Sequence, residues 1–476
     1  MNDKPSFDEF LHTVFGDDLP NFLGHGPLSD FIRVNTQRAS TQTVIDVLSR
    51  YGFVTEPVPG LDDALRILQK PYDPTMTLHH FAGWYVKQSL ASQMPVRFLD
   101  AQPGHNIIDL CAAPGSKTTQ IAAAMHNQGR LIANDLAGKR ITPLAARLDS
   151  AVVTHTVIYN TAAERLTQIL PPIFDRVLAD VPCSGLGCLD TLAENRDRYN
   201  TMRSQEGQYQ LQYRILLTGC RLLRVGGRIV YSTCSLNPDE NESVVNELIS
   251  RYPLRLLDIP DIAGVRFRPG ITEYCGRQFD KSLEKACRVT PWENDTQGFF
   301  VAVLEKYDEL PERIRHEDPH APAIQTKTIE DPDIAPVLEN IERYYGISPQ
   351  CFAGYRFHRP TNRDVVYCLD SRWDSVISGF QRAGLGLAKR RGGIWRLSHS
   401  MIQQMGPQIT KNVVSLSETQ MAEIATTGEV FVGTENIESP YPVIDFAPLG
   451  RLATTYDLGD GRIRWKRPCN YRWYAK

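Results

Sequence analysis

Two cysteines in this chain each follow an apolar run and stand among polar residues. Cys183 lies in "LADVPCSG", three residues after Asp180, and Cys234 lies in "STCSLNPDENE". A single cysteine is more often a small buried apolar residue than a reactive one. A thiol beside polar groups can instead act as a nucleophile once its pKa is lowered. The sequence therefore raises two questions: which of the two thiols is the nucleophile, and what the other one does.

The region around both cysteines alternates short apolar strands with helices. Five segments read as strands from about residue 101 onward, namely "NIIDL", "RLIAND", "VTHTVIY", "DRVLADV" and "GRIVYST". Helical segments such as "KTTQIAAAM" and "YQLQYRILLTGCRLL" lie between them, which predicts a doubly wound, parallel α/β sheet. Because carboxyl ends of parallel strands meet at one rim, Asp180, Cys183 and Cys234 should converge there. A later segment, "GFFVAVLE", predicts an antiparallel edge strand.

The first of these strands runs directly into "CAAPGSK" and a helix, which is typical of a ligand-binding loop. Small residues let a ligand approach the backbone, and the helix start offers free N–H groups. The loop is neither a Walker motif nor GxGxxG. Asp135 ends the second strand, 20 residues after Gly115, and an acid at that spacing commonly binds a ribose diol. A nucleoside cofactor is the inference; the alternative is an ordinary turn with a solvated Asp135.

Three motifs resemble those of the Sun-type RNA cytosine-5 methyltransferases: "DLCAAPGSKTTQIA", "DVPCSGLG" and "YSTCSLNPDENESVV". The resemblance covers roughly residues 30 to 306, and "FIRVNTQ" is similar to the family's "LRVNT" element. It implies a Rossmann-like class I methyltransferase sheet that binds S-adenosylmethionine and methylates C5 of an RNA cytosine. This chemistry requires a thiolate, because C5 becomes nucleophilic only after a thiol adds to C6.

The resemblance also implies roles for individual residues. Cys234 would attack C6, Cys183 would assist release of the product, and Asp180 would bridge cofactor and base. The cofactor's methionine and sugar would be held by Cys111, Ala112, Ala113, Pro114, Gly115, Ser116 and Lys117, with Asp135 on the ribose.

Three further positions can be compared with the family's pattern. Arg140 falls where the family usually has an arginine, but it would serve equally as a surface residue. Asn160 replaces an acid that contacts adenine in the family, and its amide could still bind the adenine. Val181 replaces the usual alanine before Pro-Cys. The segment "LDTLAENRDRYNTM" matches the family poorly and receives no role.

The composition sets the cellular context. The chain has 476 residues, of which 42% are hydrophobic and 22% charged, with a net charge of -3, so a nucleic-acid partner requires local basic clusters. No apolar run approaches a membrane span, and the acidic start is no secretory signal. Ten scattered cysteines are therefore expected to be reduced thiols of a cytoplasmic protein. No metal site is expected, since the Cys183–Cys188 spacing lacks a second ligand pair, and His79–His80 should be structural or surface histidines.

We predict five regions along the chain. The first is a mainly helical RNA-binding domain with a short β element (1–100), followed by the methyltransferase domain (101–306) and a Pro-rich, charged linker (307–335). An accessory α+β domain (336–411) and a PUA-like RNA-binding β-barrel (412–476) follow, both from a weaker resemblance to the RsmF-type ribosomal-RNA branch. Residues 462–476 hold six Lys or Arg and four aromatic residues, and "AKRRGG" adds a second basic turn. Both predict RNA contact.

Several alternatives remain open at this point. Ribosomal RNA is the favoured substrate and transfer RNA the runner-up. A DNA cytosine-5 methyltransferase would attack with the Pro-Cys cysteine and needs no Thr-Cys partner, so Cys234 argues against it. A non-catalytic RNA-binding assembly factor would need neither cysteine. Oligomeric state is not readable from the sequence, and a monomer is the expectation.

Overall fold

The computed structural model describes residues 6–187, 196–197, 199, 205–311, 323–324, 326–360, 363–373, 377–433, 437–447 and 449–466. Part of the segment "LDTLAENRDRYNTM", residues 312–322 and 325 of the predicted linker, and the basic tail 467–476 therefore lie outside the described residues.

The helices are numbered in chain order. They are α1 (Phe7–Phe15), α2 (Leu19–Gly24), α3 (Thr41–Arg50), α4 (Leu78–Phe81), α5 (Leu90–Leu99), α6 (Ser116–Ala124), α7 (Gly138–Ser150), α8 (Leu166–Ile169), α9 (Gln205–Leu222), α10 (Glu242–Arg251), α11 (Pro291–Asn294), α12 (Ala335–Tyr345), α13 (His399–Gln404) and α14 (Glu418–Thr427). Short 3-10 helices span Gly16–Asp18, Pro74–Met76, Ala163–Arg165, Lys281–Lys285, Pro349–Phe352 and Gly406–Gln408.

The strands are numbered in the same way. Up to residue 306 they are β1 (Asp30–Val34), β2 (Val54–Val58), β3 (Leu61–Gln69), β4 (Tyr85–Lys87), β5 (Asn106–Asp109), β6 (Arg130–Asn134), β7 (Thr156–Tyr159), β8 (Phe174–Asp180), β9 (Leu223–Thr233), β10 (Leu254–Leu256), β11 (Arg268–Pro269), β12 (Glu273–Tyr274), β13 (Arg277–Gln278), β14 (Cys287–Val289) and β15 (Phe299–Lys306). Beyond it they are β16 (Ala323–Ile324), β17 (Tyr355–His358), β18 (Val365–Asp370), β19 (Ile377–Ser378), β20 (Arg382–Ala383), β21 (Leu385–Arg391), β22 (Ile394–Leu397), β23 (Val413–Ser415), β24 (Glu429–Phe431), β25 (Val443–Phe446), β26 (Gly450–Thr454), β27 (Tyr456–Asp457) and β28 (Arg462–Arg464).

A ten-stranded sheet forms the centre of the molecule. Its order is β11-β14-β15-β9-β8-β5-β6-β7-β20, with β10 beside β15. The five strands from β9 to β7 are parallel, which confirms the predicted doubly wound α/β core. These strands are apolar runs because helices cover both faces: Ile107 packs with α5 and α6, whereas its neighbour Ile108 packs with α9 on the other face.

The first parallel strand, β5, lies between β8 and β6, so the chain changes direction at this strand. A crevice opens at the carboxyl ends of strands at such a switch point. The fold therefore directs the loops after β5 and β8 toward one place.

The predicted strand 298–305 exists, but its predicted edge position was wrong. β15 pairs antiparallel with β9 on one side and with β14 on the other, so it is interior. Phe300 and Leu304 are fully buried. β14 and β11 are too short to carry a periodic signal, which is why the sequence did not reveal the strands that cover β15.

The N-terminal region contains more strand than the predicted short β element, although helices still account for more of its residues than strands do. The first 100 residues contain a four-stranded antiparallel sheet of order β2-β3-β1-β4. Its longest strand, β3, alternates buried and exposed residues only irregularly, and β2 is mostly exposed. The helix α5 packs in the same hydrophobic cluster as β8 and β9, so in packing terms it belongs to the central sheet's layers although it precedes residue 101.

The C-terminal region packs against the central sheet at β7 and at the residue before it. β20 pairs with the outer parallel strand β7, and Trp373 donates a hydrogen bond from Nε1 to the carbonyl of His155 (2.9 Å). A four-stranded sheet, β17-β18-β21-β22, is followed by two three-stranded sheets, β23-β25-β26 and β24-β28-β27. Across the described part of the chain, no helix is long and apolar enough to cross a membrane.

Candidate active site

The two cysteines occupy the ends of adjacent parallel strands. β8 and β9 pair so that Asp180 lies opposite Ser232, and the chain continues from these residues to Cys183 and Cys234. Their sulfur atoms are 3.0 Å apart. Neither cysteine forms a disulfide, and both are half-buried. The convergence expected from strand topology thus brings the two thiols into direct contact.

The contact affects the protonation of Cys183. Its hydrogen bond with Cys234 and its burial raise the pKa of the Cys183 thiol well above the ordinary value. Cys183 is therefore protonated at neutral pH, so its S–H can donate a hydrogen bond to the Cys234 sulfur.

Two glycines fix the backbone at Cys234. The amide of Gly187 donates to the carbonyl of Cys234 (3.0 Å), and the amide of Gly298 donates to the carbonyl of Gly187 (2.7 Å). A Cβ on Gly187 would lie 2.6 Å from the Gly298 carbonyl oxygen. Only a residue without a side chain lets these three segments meet.

Asp180 lies between the thiols and the loop after β5. Ser232 donates from Oγ to one carboxylate oxygen (2.7 Å), and the ammonium of Lys117 pairs with the other (2.8 Å). Lys117 also donates to Ser92 Oγ (2.9 Å) and lies 5.1 Å from the ring centroid of Phe299. Asp180 and Lys117, both predicted as site residues, thus form an ion pair beside the cysteines.

Glu240 is a site residue that the sequence did not reveal. Its carboxylate accepts from the backbone amide of Ser184 (3.1 Å) and from Ser184 Oγ (3.0 Å). Burial raises the pKa of Glu240 to about 7. The contact ties the turn after Cys234 to the turn after Cys183, and no pattern marks it because the partners are 56 residues apart in sequence.

Side chains also close the turn that follows Cys234. Thr233 donates from Oγ1 to Asn241 Oδ1 (2.6 Å), and Asn241 donates from Nδ2 to the carbonyl of Ser235 (3.0 Å). The helix α10 begins at Glu242. Glu242 is buried and pairs with Arg288 (2.6 Å), so it belongs to the core instead of the surface.

A cavity lies at the switch point and has Asp180 in its wall. Its lining residues are Gln88, Ser89, Ser92, Asp109, Cys111, Ala112, Ala113, Pro114, Ser116, Lys117, Asp180 and Gln297. Gly115 has φ of 104°, a left-handed conformation that favours glycine, and a Cβ there would lie 3.0 Å from Leu144. It precedes α6, whose start has no side-chain cap, so the first N–H groups of α6 stay available to a ligand.

Asp109 is the second residue that the sequence did not single out. It ends β5 inside a quoted motif, is 1% exposed, and accepts from Thr118 Oγ1 through Oδ2 (2.8 Å). Its Oδ1 is buried without a protein partner. Burial and the nearby Asp180 raise the pKa of Asp109 to about 7. A buried, unpaired carboxylate oxygen in a cavity wall fits a hydrogen-bond donor on a ligand.

Three predicted residues lie behind the loop. Asp135 accepts from the amides of Ala113 (3.1 Å) and Ala137 (2.9 Å), and Arg140 donates to the carbonyl of Ala113. Asn160 donates to the carbonyl of Asp135 (2.7 Å). None of the three lines the cavity. They hold the loop in place, and Asp135 retains lone pairs for a further donor.

The described residues contain no group of three or more His, Cys, Asp or Glu side chains placed to hold a metal ion. His79 is fully buried, and its ring nitrogen bonds Tyr51 Oη (3.1 Å). Burial lowers the pKa of His79 to about 3. It is a neutral structural histidine, as predicted.

Comparison with protein families gives one match that covers the central sheet. Residues 96–305 match the family described as 16S rRNA methyltransferase RsmB/F. The matched range contains both cysteines, Asp180 and the loop after β5.

Individual relatives extend the match over most of the chain. A ribosomal RNA small subunit methyltransferase F from Shigella dysenteriae serotype 1 (strain Sd197) is 31% identical over 436 residues, covering 89% of this chain and 84% of that relative. One from Aeromonas hydrophila subsp. hydrophila is 30% identical, covering 85% and 86%. The match to one from Erwinia tasmaniensis, 32% identical over 312 residues, covers 64% of this chain and 62% of that relative.

Solved structures agree on the fold. A methyltransferase homologue from Pyrococcus horikoshii has 28% sequence identity and a TM-score of 0.55, covering 63% of this chain and 94% of that chain. The structure of NSun6 from the same organism with SFG has a TM-score of 0.55 at 21% identity, covering 64% and 99%. At 21% identity, the NSun6 structure supports only the fold of this chain.

Proposed function

This chain belongs to the RsmB/F family of 16S rRNA methyltransferases, and we propose that Cys234 is its nucleophile and Cys183 its release partner. The family makes the chain an S-adenosylmethionine-dependent 16S rRNA cytosine-5 methyltransferase. The observation that carries the division of roles is the 3.0 Å contact between the two sulfur atoms. Only two thiols held at one reaction centre can share addition and release.

The reaction begins with Cys234. Its thiolate adds to C6 of the target cytosine, an S–C bond forms, and the electron pair of the C5–C6 double bond becomes available at C5. Asp180, held by Ser232 and Lys117, lies where a carboxyl group can accept from the amino group of the base. S-adenosylmethionine, when bound, supplies the methyl group that C5 takes.

Release reverses the addition. Transfer of the C5 proton to solvent water returns its bonding pair to the ring, and the C6–S bond breaks with its electron pair on the Cys234 sulfur. The S–H of Cys183, protonated because its pKa is raised, donates to that sulfur as negative charge develops on it. Stabilising the charge on the leaving sulfur lowers the barrier to release.

The cavity fits the cofactor. Asp109 offers an unpaired buried oxygen to the ammonium group, and the start of α6 offers N–H groups to the carboxylate. The loop 111–117 would hold the methionine and sugar parts. Asp135 is assigned to the ribose, Asn160 to the adenine edge, and Arg140 to support of the loop.

We assign the remaining regions to the RNA. Residues 1–100 and 336–411 would flank the catalytic domain 101–306, joined by the linker 307–335. The two sheets within 412–466 share one hydrophobic core with α14, built around Met421, Ile444 and Ile463. This arrangement supports a PUA-like module that contacts RNA. A target cytosine that must reach the recessed thiols is flipped out or already unpaired.

Tritium release tests the proposed reaction. Small-subunit rRNA transcribed with [5-³H]CTP is incubated with the protein and unlabelled S-adenosylmethionine. Methylation at C5 must release one tritium for each methyl group transferred. Transfer RNA labelled in the same way, and rRNA without cofactor, are the controls. Methyl incorporation without tritium release would place the reaction at another atom.

A further inference from the structure

The hairpin of β21 and β22 carries three cations on one face. Its two-residue turn, Gly392–Gly393, has φ of 55° and 83°, which is the conformation of a type I′ turn. Lys389 lies opposite Arg396, and Arg391 lies opposite Ile394. Because alternate residues of a strand share a face, Lys389, Arg391 and Arg396 project together.

These cations have no carboxylate partner in the described part of the chain. Among the described residues, none of Lys389, Arg391 and Arg396 pairs with a carboxylate, whereas Arg451 and Arg464 in the neighbouring sheets do. Lys389 and Arg391 are exposed. Like charges directly opposite each other destabilise a hairpin. The charges of Lys389 and Arg391 therefore do not serve the fold.

Two tyrosines lie beside the cations. The guanidinium of Arg396 lies 5.3 Å from the ring centroid of Tyr456 and 5.9 Å from that of Tyr441, and it donates to Tyr456 Oη (2.6 Å). The tyrosine rings are 5.6 Å apart and nearly perpendicular. Lys466 lies 5.1 Å from the Tyr456 ring. We call this surface the cationic platform; it consists of Lys389, Arg391, Arg396, Tyr441, Tyr456 and Lys466.

The composition of the platform favours one class of ligand. Ammonium and guanidinium groups neutralise phosphates, and half-buried aromatic rings stack on unpaired bases. An acidic protein surface would use the charges but would have no need of the rings. We propose that the cationic platform binds a single-stranded segment of the substrate RNA, outside the catalytic site. The inference rests on the proposed function for the identity of that RNA.

The salt dependence of RNA binding tests the cations. The probe is a fluorescein-labelled single-stranded RNA of roughly 12 nucleotides, titrated by anisotropy at several salt concentrations. Each lost phosphate contact reduces the slope of log K against log salt by about 0.7. Lys389→Gln/Arg391→Gln should thus reduce it by about 1.4. Lys281→Gln/Lys285→Gln removes the same charge from a distant 3-10 helix and should leave the slope at the wild-type value.

The rings are tested separately. Tyr456→Leu removes a stacking surface without changing charge, so the affinity should fall at least about fivefold while the salt slope stays unchanged. An unchanged slope in the Lys389/Arg391 double variant would overturn the inference. So would a polyglutamate peptide that competes with the RNA probe, because it would make the platform a protein-binding surface.

The two proposals fail in different ways. If wild-type protein releases tritium from rRNA but the double variant binds the probe with the wild-type slope, the platform is wrong and the catalytic function stands. If the slope falls as expected but no tritium is released, the catalytic proposal is wrong and the platform stands.

Discussion

The sulfur of Cys183 lies 3.0 Å from the sulfur of Cys234, although 51 residues separate the two positions in sequence. The parallel pairing of β8 with β9 creates this contact, because it places Asp180 beside Ser232 at the rim of the sheet where both strands end. The contact supports the proposal that the second thiol assists Cys234 and does not compete with it as a nucleophile. Cys183 is a neighbour within reach of every bond that Cys234 makes or breaks.

This proximity predicts selective oxidation. An azo oxidant such as diamide should accept two electrons and two protons from the pair and leave a Cys183–Cys234 disulfide, since a shift of about 1 Å brings the sulfurs to bonding distance. Methyl transfer should then stop and should return with dithiothreitol. The experiment uses Cys275→Ser/Cys351→Ser protein, which lacks two exposed thiols. Peptide mass spectrometry that finds no Cys183–Cys234 cross-link would refute the prediction.

Glu240 predicts a pH-dependent stability. Its pKa is raised from 4.5 to about 7 in the folded protein, so the folded state binds a proton more tightly than the unfolded chain. The stabilisation from this group is complete below pH 4.5 and declines as the pH rises to about 7. The wild-type free energy of unfolding should fall by about 3 kcal/mol relative to Glu240→Gln across that window. Parallel pH profiles in both proteins, measured by urea denaturation, would contradict this account.

Asp109 predicts pH-dependent cofactor binding. Its pKa of about 7 makes it mostly neutral at pH 6 and mostly ionised at pH 8, and only the ionised form attracts an ammonium group. The dissociation constant of S-adenosylmethionine, measured by calorimetry, should therefore fall about tenfold over this range. In Asp109→Asn, this tenfold fall of the dissociation constant should be absent. Titration of the cofactor's own amino group affects wild type and Asp109→Asn equally. Identical pH profiles of the dissociation constant in the two proteins would therefore show that Asp109 does not bind the ammonium group.

Gly187 predicts a defect in catalysis that spares cofactor binding. A Cβ would lie 2.6 Å from the Gly298 carbonyl oxygen and 2.9 Å from that of Cys234, so Gly187→Ala must displace the nucleophile. A displacement of this size should lower kcat about 100-fold and leave the dissociation constant of S-adenosylmethionine unchanged. Gly354→Ala meets no atom within 4 Å and is the matched control. Wild-type kcat in Gly187→Ala would show that the close approach is dispensable.

The sequence predicted the part of the fold that depends on local patterns. Apolar runs identified β5 to β9, and their parallel order was enough to bring Cys183 and Cys234 to one rim. The interior position of β15 was missed because its outer neighbours, β11 and β14, are two and three residues long. β20 could not be predicted either, because it is only two residues long and joins the sheet at β7 from the C-terminal region.

At the candidate active site, too, the sequence predicted the residues that local motifs mark and missed those that they do not mark. Motif residues such as Lys117 and Asp180 could be named from their neighbours in sequence. Glu240 could not, because it reads as an acid near a helix start, and only the contact with Ser184 shows what it does. Asp109 becomes a candidate once its burial and its unpaired oxygen are known. Contacts between distant segments carry this information, and composition does not.

Covalent trapping tests the division of labour between the thiols most directly. Each variant is incubated with 16S rRNA and S-adenosylmethionine and examined on a denaturing gel for a protein–RNA adduct, with methyl transfer measured in parallel. Cys183→Ala should accumulate the adduct because release is impaired, whereas Cys234→Ala should form no adduct and transfer no methyl group. If Cys234→Ala keeps methyl transfer, or if it is the variant that traps RNA, then Cys234 is not the nucleophile.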